Sequence, residues 1–143
     1  MRFMMMMIPG VYQGKKGQAA GKDFSPSADE VAEMMKYNEE LAKAGVLITL
    51  DGLHPPVMGA RVSFKGKKPV VTDGPFAESK EILGGYWMIN VKSKEEAIAW
   101  ARRVPAAEDD VIEIRQVFEN EDFPEDVQKI ADNLTVKNAI KKS

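Results

Sequence analysis

Arg2 to Ile8 is an almost unbroken apolar run. Its length and lack of alternation predict a buried first strand, with four consecutive methionines as adaptable filler. It is too short, and lacks the small-residue cleavage site, for a signal core. No stretch reaches the roughly 18 apolar residues of a membrane span. The period then changes. Between about Pro26 and Ala44, Val31, Met34, Met35, Asn38, Leu41 and Ala42 recur on one helical face. Pro26 favours Ser25 as N-cap, Ser27 and Glu30 offer a capping box, and Gly45 ends the helix.

Strand character returns from Val46 to about Leu53 and is stopped by Pro55-Pro56. Arg61–Lys65 and Pro69–Thr72 predict a hairpin around Lys65-Gly-Lys-Lys, whose basic tip reads as a solvated turn. Gly85–Val91 is the next strand. Ser93-Lys-Glu-Glu96 reads as a capping box opening a second helix, which ends near Val104-Pro105 and buries Ala97, Ile98, Trp100, Ala101 and Val104. In the last strand, Val111–Phe118, Ile112 and Ile114 point one way while Glu113 and Arg115 point the other.

The order β-α-β, hairpin, β-α-β predicts an α+β fold with both helices on one sheet face. The opposite face mixes charge with apolar residues such as Tyr86 and Met88. It is too apolar to be left in water, so a partner sheet is expected to cover it. Residues 119–143 read as a separate helical extension. Asp122 to Glu125 signal its start, and Val127, Ile130, Ala131 and Leu134 give it an apolar stripe. It is expected to clamp its own or a neighbouring subunit. Asn133-Leu-Thr135 matches a glycosylation sequon by chance.

Composition narrows the function. The 143 residues fit one domain, and a net charge of −2 carries no nucleic-acid footprint. Neither nucleic acid nor membrane is expected as a partner. The absence of cysteine excludes disulfides and thiolate chemistry and fits a reducing, cytoplasmic setting. One histidine without cysteine argues against a His/Cys zinc site; carboxylate-only metal binding stays open, but no acidic spacing suggests it, and no metal or cofactor is expected. The loop at residues 10–24 holds Gly10, Gly14, Gly17 and Gly21, but Asp23 follows Lys22 where a phosphate loop needs Ser or Thr; it reads as a mobile surface loop.

Two segments carry candidate chemistry. Gly52-Leu-His54-Pro55-Pro56 holds the only histidine, the side chain suited to proton transfer near neutral pH. Thr72-Asp73-Gly-Pro75-Phe76-Ala-Glu78-Ser-Lys80-Glu, followed by Gly84-Gly-Tyr86, places an acid on a turn. Asp73 could orient His54 and stabilise its imidazolium. Structural roles compete: Asp-Gly-Pro builds turns unaided, and His54 could simply bond a backbone carbonyl.

These two segments, in this order and spacing, closely resemble the DGPF group of YCII-related proteins over about residues 1–118. The match departs in the residue 10–24 loop and in the tail after residue 119. The resemblance implies a ferredoxin-like unit that forms a dimeric α+β barrel, here with an added C-terminal helix. It also implies that His54 and Asp73 form the site. Arg61, Phe76, Glu78, Lys80 and Tyr86 are secondary candidates for substrate binding. With no activated nucleophile in view, a cofactor-free isomerase, lyase or hydrolase acting on a small organic substrate is expected. The alternative is a binding or regulatory module without turnover.

Overall fold

The computed structural model describes residues 1–14, 20–76 and 81–140. Glu78, Lys80 and the centre of the glycine-rich loop lie outside them. In chain order the elements are β1 (Arg2–Ile8), α1 (Ala28–Lys43), β2 (Leu47–Gly52), β3 (Ala60–Lys65), β4 (Lys68–Asp73), β5 (Gly85–Asn90), α2 (Lys94–Ala101), β6 (Val111–Gln116), α3 (Glu125–Ala131) and α4 (Leu134–Ala139). Four strands form one sheet in the order β2-β5-β1-β6, every neighbour antiparallel. β3 and β4 form a ribbon of their own. Leaving the ribbon aside, this is a β-α-β-β-α-β arrangement, the split βαβ topology.

Register explains the core. Met5 lies opposite both Trp87 and Ile114, and Leu50 opposite Trp87, so one row of large side chains crosses all four strands. Phe3, Ile89 and Leu47 make the next row on the same face. Both helices cover this face, with Tyr37 and Leu41 from α1 and Ala97 from α2 in the same cluster. Met5, Leu41 and Ile89 are fully buried, each contributing about 1.5–3 kcal/mol of hydrophobic stabilisation. Two polar contacts fix the layers. Trp87 Nε1 donates to the buried Asn38 Oδ1 at 2.8 Å, and Tyr37 Oη donates to the Trp100 carbonyl at 2.8 Å. Burial pushes the Tyr37 hydroxyl pKa up.

The helix starts hold with adjustments. Ser27, rather than Ser25, caps α1 in a complete box with Glu30. Ser93 caps α2 by accepting from Glu96 N, but the Glu96 carboxylate reaches back to Lys92 N instead of closing the box on Ser93. The buried stripe of α1 is rotated from the expected one. Tyr37 joins Asn38 and Leu41 inside, while Val31, Met35 and Ala42 are exposed. α1 lies on the sheet's edge half, so only a narrow stripe is covered.

The tail differs more. It is two short helices, because Asp132 and Asn133 leave helical geometry and Asn133 caps α4 by accepting from Val136 N. Of its stripe, Val127 is half-buried, while Ile130, Ala131 and Leu134 are exposed. Among the described residues no helix is long and apolar enough to cross a membrane.

Candidate functional site

β2 leaves the sheet at Gly52. Leu53 N still donates to Gly84 O (2.9 Å), and then the chain turns through Pro55 and Pro56 into the ribbon. The ribbon returns it to Asp73, opposite Ala60. There the two sequence segments interlock. Gly74 N donates to Gly59 O at 2.9 Å, and a Cβ built on Gly74 would lie 1.8 Å from the Pro56 carbonyl oxygen. No side chain fits that gap, which explains the glycine in Asp-Gly-Pro. Pro55 is fully buried beneath the joint.

Beside this joint opens a cavity of about 400 Å³, within the range typical of small-ligand sites. His54, Arg61, Phe76 and Glu81 share its wall with apolar residues such as Ile82 and Leu83. The Arg61 guanidinium lies over the Phe76 ring, 4.1 Å from its centre. That stacking holds the cation without neutralising it and leaves its N–H edge able to bond an anion. Among the described residues no group of three or more His, Cys, Asp or Glu side chains is placed to hold a metal ion.

The structure brings three of the candidate residues together: His54, Arg61 and Phe76. Asp73 and Tyr86 are not part of the cavity wall. Asp73 is exposed at the end of β4, and among the described residues no hydrogen bond or ion pair joins it to His54. Tyr86 stands on the open sheet face and donates to Asp51 Oδ2 at 2.6 Å; that bond holds the phenol proton and raises the Tyr86 pKa. Glu78 and Lys80 lie outside the described residues.

Two residues of the expected mobile loop instead build the site. Gln13 binds the backbone of Ile82 like a strand partner: its Nε2 donates to Ile82 O (2.8 Å) and its Oε1 accepts from Ile82 N (2.9 Å). The same Nε2 donates to Pro9 O at 2.7 Å. Buried Tyr12 donates to Leu53 O at 3.3 Å and meets Phe24 edge-on. No local pattern marks a glutamine that pairs with a segment 69 residues away. Replacing Gln13 with Ala strips Ile82 of both partners. The expected loss is about 1–3 kcal/mol of stability, readable as a lower urea midpoint, with the Ile82–Leu83 amides exchanging faster than those of β1.

An antiparallel α+β sheet with helices on one face and a ribbon-walled cavity at one corner defines the architecture. The chain belongs to the YCII-related domain family, whose model matches residues 1–121. It is also similar to an uncharacterised protein of Rhizobium meliloti (strain 1021), 32% identical over 81 residues. That match covers 55% of this chain and 65% of the relative, just under two thirds of its length.

Proposed function

We propose that the cavity binds a small organic acid and that His54 exchanges a proton with it. The observation that carries this reading is the placing of His54 and Arg61 in one largely apolar wall. Arg61 holds the ligand's anionic group with its N–H edge while Phe76 fixes the guanidinium plane. The neutral His54 imidazole takes a proton from a carbon acidified by a neighbouring carbonyl, leaving the C–H electron pair on the ligand. Return of the proton to another atom completes an isomerisation; departure of a leaving group completes an elimination. Asp73, exposed at the end of β4 and, among the described residues, without a direct bond to His54, would act only through a bridging water, and from there would orient the ring and stabilise the imidazolium. The scheme uses no cofactor.

Binding without turnover is the second reading. It is favoured by the absence of a direct His54–Asp73 contact among the described residues. The single histidine makes the distinction clean, since one imidazole gives all the ring signals. If His54 works with Asp73, Asp73→Asn redistributes its ring-nitrogen tautomer signals, and deuterium from solvent enters a bound aromatic or lactone acid in wild type only. Unchanged ring signals together with no deuterium uptake leave a binding module. In either case Arg61→Met is expected to weaken carboxylate binding by at least roughly tenfold, the loss of one charge-assisted hydrogen bond. Equal affinity by calorimetry would remove Arg61 from the site.

The open sheet face supports a homodimer. Met4, Met6, Tyr86 and Met88 are half-buried there, with Ile48 and Val111 exposed at its edges and Asp51, Glu113 and Arg115 between them. Two such faces meeting would complete the barrel expected of a ferredoxin-like unit. Sedimentation at micromolar concentration tests it, and a 15.9 kDa species would overturn it.

A further inference from the structure

Two apolar surfaces find no cover among the described residues. The first is one face of the ribbon, where Val62 stands opposite Val71 and Phe64 opposite Pro69. All four are exposed, Phe64 to 81%. An isolated two-stranded ribbon is marginal in water, and among the described residues this one pairs only with itself. The second is the tail, where Ile130 is 80% and Leu134 71% exposed. The tail's direction is nonetheless fixed. Arg2 Nε donates to Glu119 Oε1 at 2.7 Å, Phe118 stacks on Phe123, and Gln128 Nε2 donates to Phe123 O.

Their charges are opposite. Residues 60–73 carry Arg61, Lys65, Lys67 and Lys68 against Asp73, a net of +3. Residues 119–132, the first part of the tail, carry six acids against Lys129, a net of −5, although Glu119 is already paired with Arg2 and Asp132 with Lys137, and the later lysines bring residues 119–143 to −2. Yet the fold keeps the two apart. The ribbon leaves β2 and the tail leaves β6, the two edge strands of the sheet. Three antiparallel steps separate those strands, so β2 and β6 run in opposite senses. Ribbon and tail therefore spring from diagonally opposite corners.

We infer that the tail of one copy docks on the ribbon of a second copy. The inference rests on the sheet-to-sheet pairing proposed above. The sheet is nearly square: outer strand axes are about 14 Å apart and six-residue strands about 20 Å long. Two such sheets meeting face to face about a two-fold axis along one diagonal exchange corners, placing each ribbon on the other copy's tail. An axis along the other diagonal places ribbon on ribbon and tail on tail. Charge selects the first, because the second sets +3 against +3 and −5 against −5. Both contacts are then identical, as an isologous dimer requires. Each ribbon gains an apolar cover for Phe64, and the strand that carries Arg61 into the cavity is held from behind by the neighbouring copy.

The absence of native cysteine allows a direct test. Chains with Phe64→Cys and differently tagged chains with Ile130→Cys are mixed and mildly oxidised. The expected product is a covalent heterodimer, formed several-fold less at about 1 M salt, where screening acts within about 3 Å. Lys67→Glu with Lys68→Glu should lower its yield several-fold, and Glu125→Lys with Asp126→Lys on the other chain should restore it. Disulfides joining like positions would overturn the inference. So would a disulfide within one chain carrying both substitutions. No cross-link between the two variants, when the wild type sediments as a dimer, would overturn it too, while leaving the sheet pairing intact. A monomeric wild type would overturn both.

Discussion

Alanine at position 74 is expected to lower the melting temperature by roughly 5–10 °C. The reason is the 1.8 Å that would separate its Cβ from the Pro56 carbonyl oxygen. A flexible side-chain tip could move aside, but a backbone carbonyl held by Pro55 and Pro56 has little freedom. Relief requires the ribbon to lift away from the proline turn, breaking the hydrogen bond from Gly74 N to Gly59 O. Overpacking of this kind costs about 1–3 kcal/mol, and the lost hydrogen bond adds about 1 kcal/mol. For a chain of this size each kcal/mol moves the midpoint by a few degrees. The damage should be local as well as global, because Gly59 and Pro56 line the cavity. Carboxylate binding should fall with stability, whereas an alanine at exposed Gly21, with open space around its Cβ, should leave binding unchanged. If Gly74→Ala melts with wild type and binds with wild-type affinity, the interlock between the two segments does not shape the site.

Period and punctuation made most of the fold legible. The apolar run at residues 2–8, the proline stop after β2 and the alternation in β6 each set an element within one or two residues. They work because strand and helix periods are local properties of the chain. What stayed hidden depends on contacts through space. Asp-Gly-Pro reads as a turn, but the need for glycine at 74 comes from a carbonyl eighteen positions earlier. Gln13 has no local signal because its partner, Ile82, is distant in sequence. The buried face of α1 differs from the one its periodicity predicts for a related reason. Val31, Met35 and Tyr37 are all plausible core residues, and only the position of the helix over the sheet decides which turn inward. In the candidate site, His54, Arg61 and Phe76 line one cavity. Asp73 is exposed at the end of β4 and outside the cavity wall, a placement that sequence spacing cannot resolve.

The buried bond between α1 and β5 should give the largest energetic coupling in the molecule. Trp87 Nε1 donates to Asn38 Oδ1 at 2.8 Å, both groups shielded from water by the core cluster. Asn38→Leu keeps the branched shape and heavy-atom count but orphans the indole N–H, with an expected loss of about 1–3 kcal/mol. Trp87→Phe removes the donor, orphans the amide oxygen and opens space in the row with Met5 and Leu50, at about 2–4 kcal/mol. The double variant leaves no polar group unpaired and retains only the packing loss. Its destabilisation should therefore fall short of the sum of the singles by at least about 1 kcal/mol, well above the few tenths seen for independent sites. Urea midpoints for the four proteins give the cycle directly. Trp87 sits on the strand that begins at Gly84–Gly85, where Leu53 N is tied to Gly84 O beside the cavity. Loosening α1 from β5 should thus be felt at Leu53 as faster amide exchange in either single variant, and largely reversed in the double. Additive destabilisation would mean that packing alone, and not this hydrogen bond, sets the register of helix on sheet.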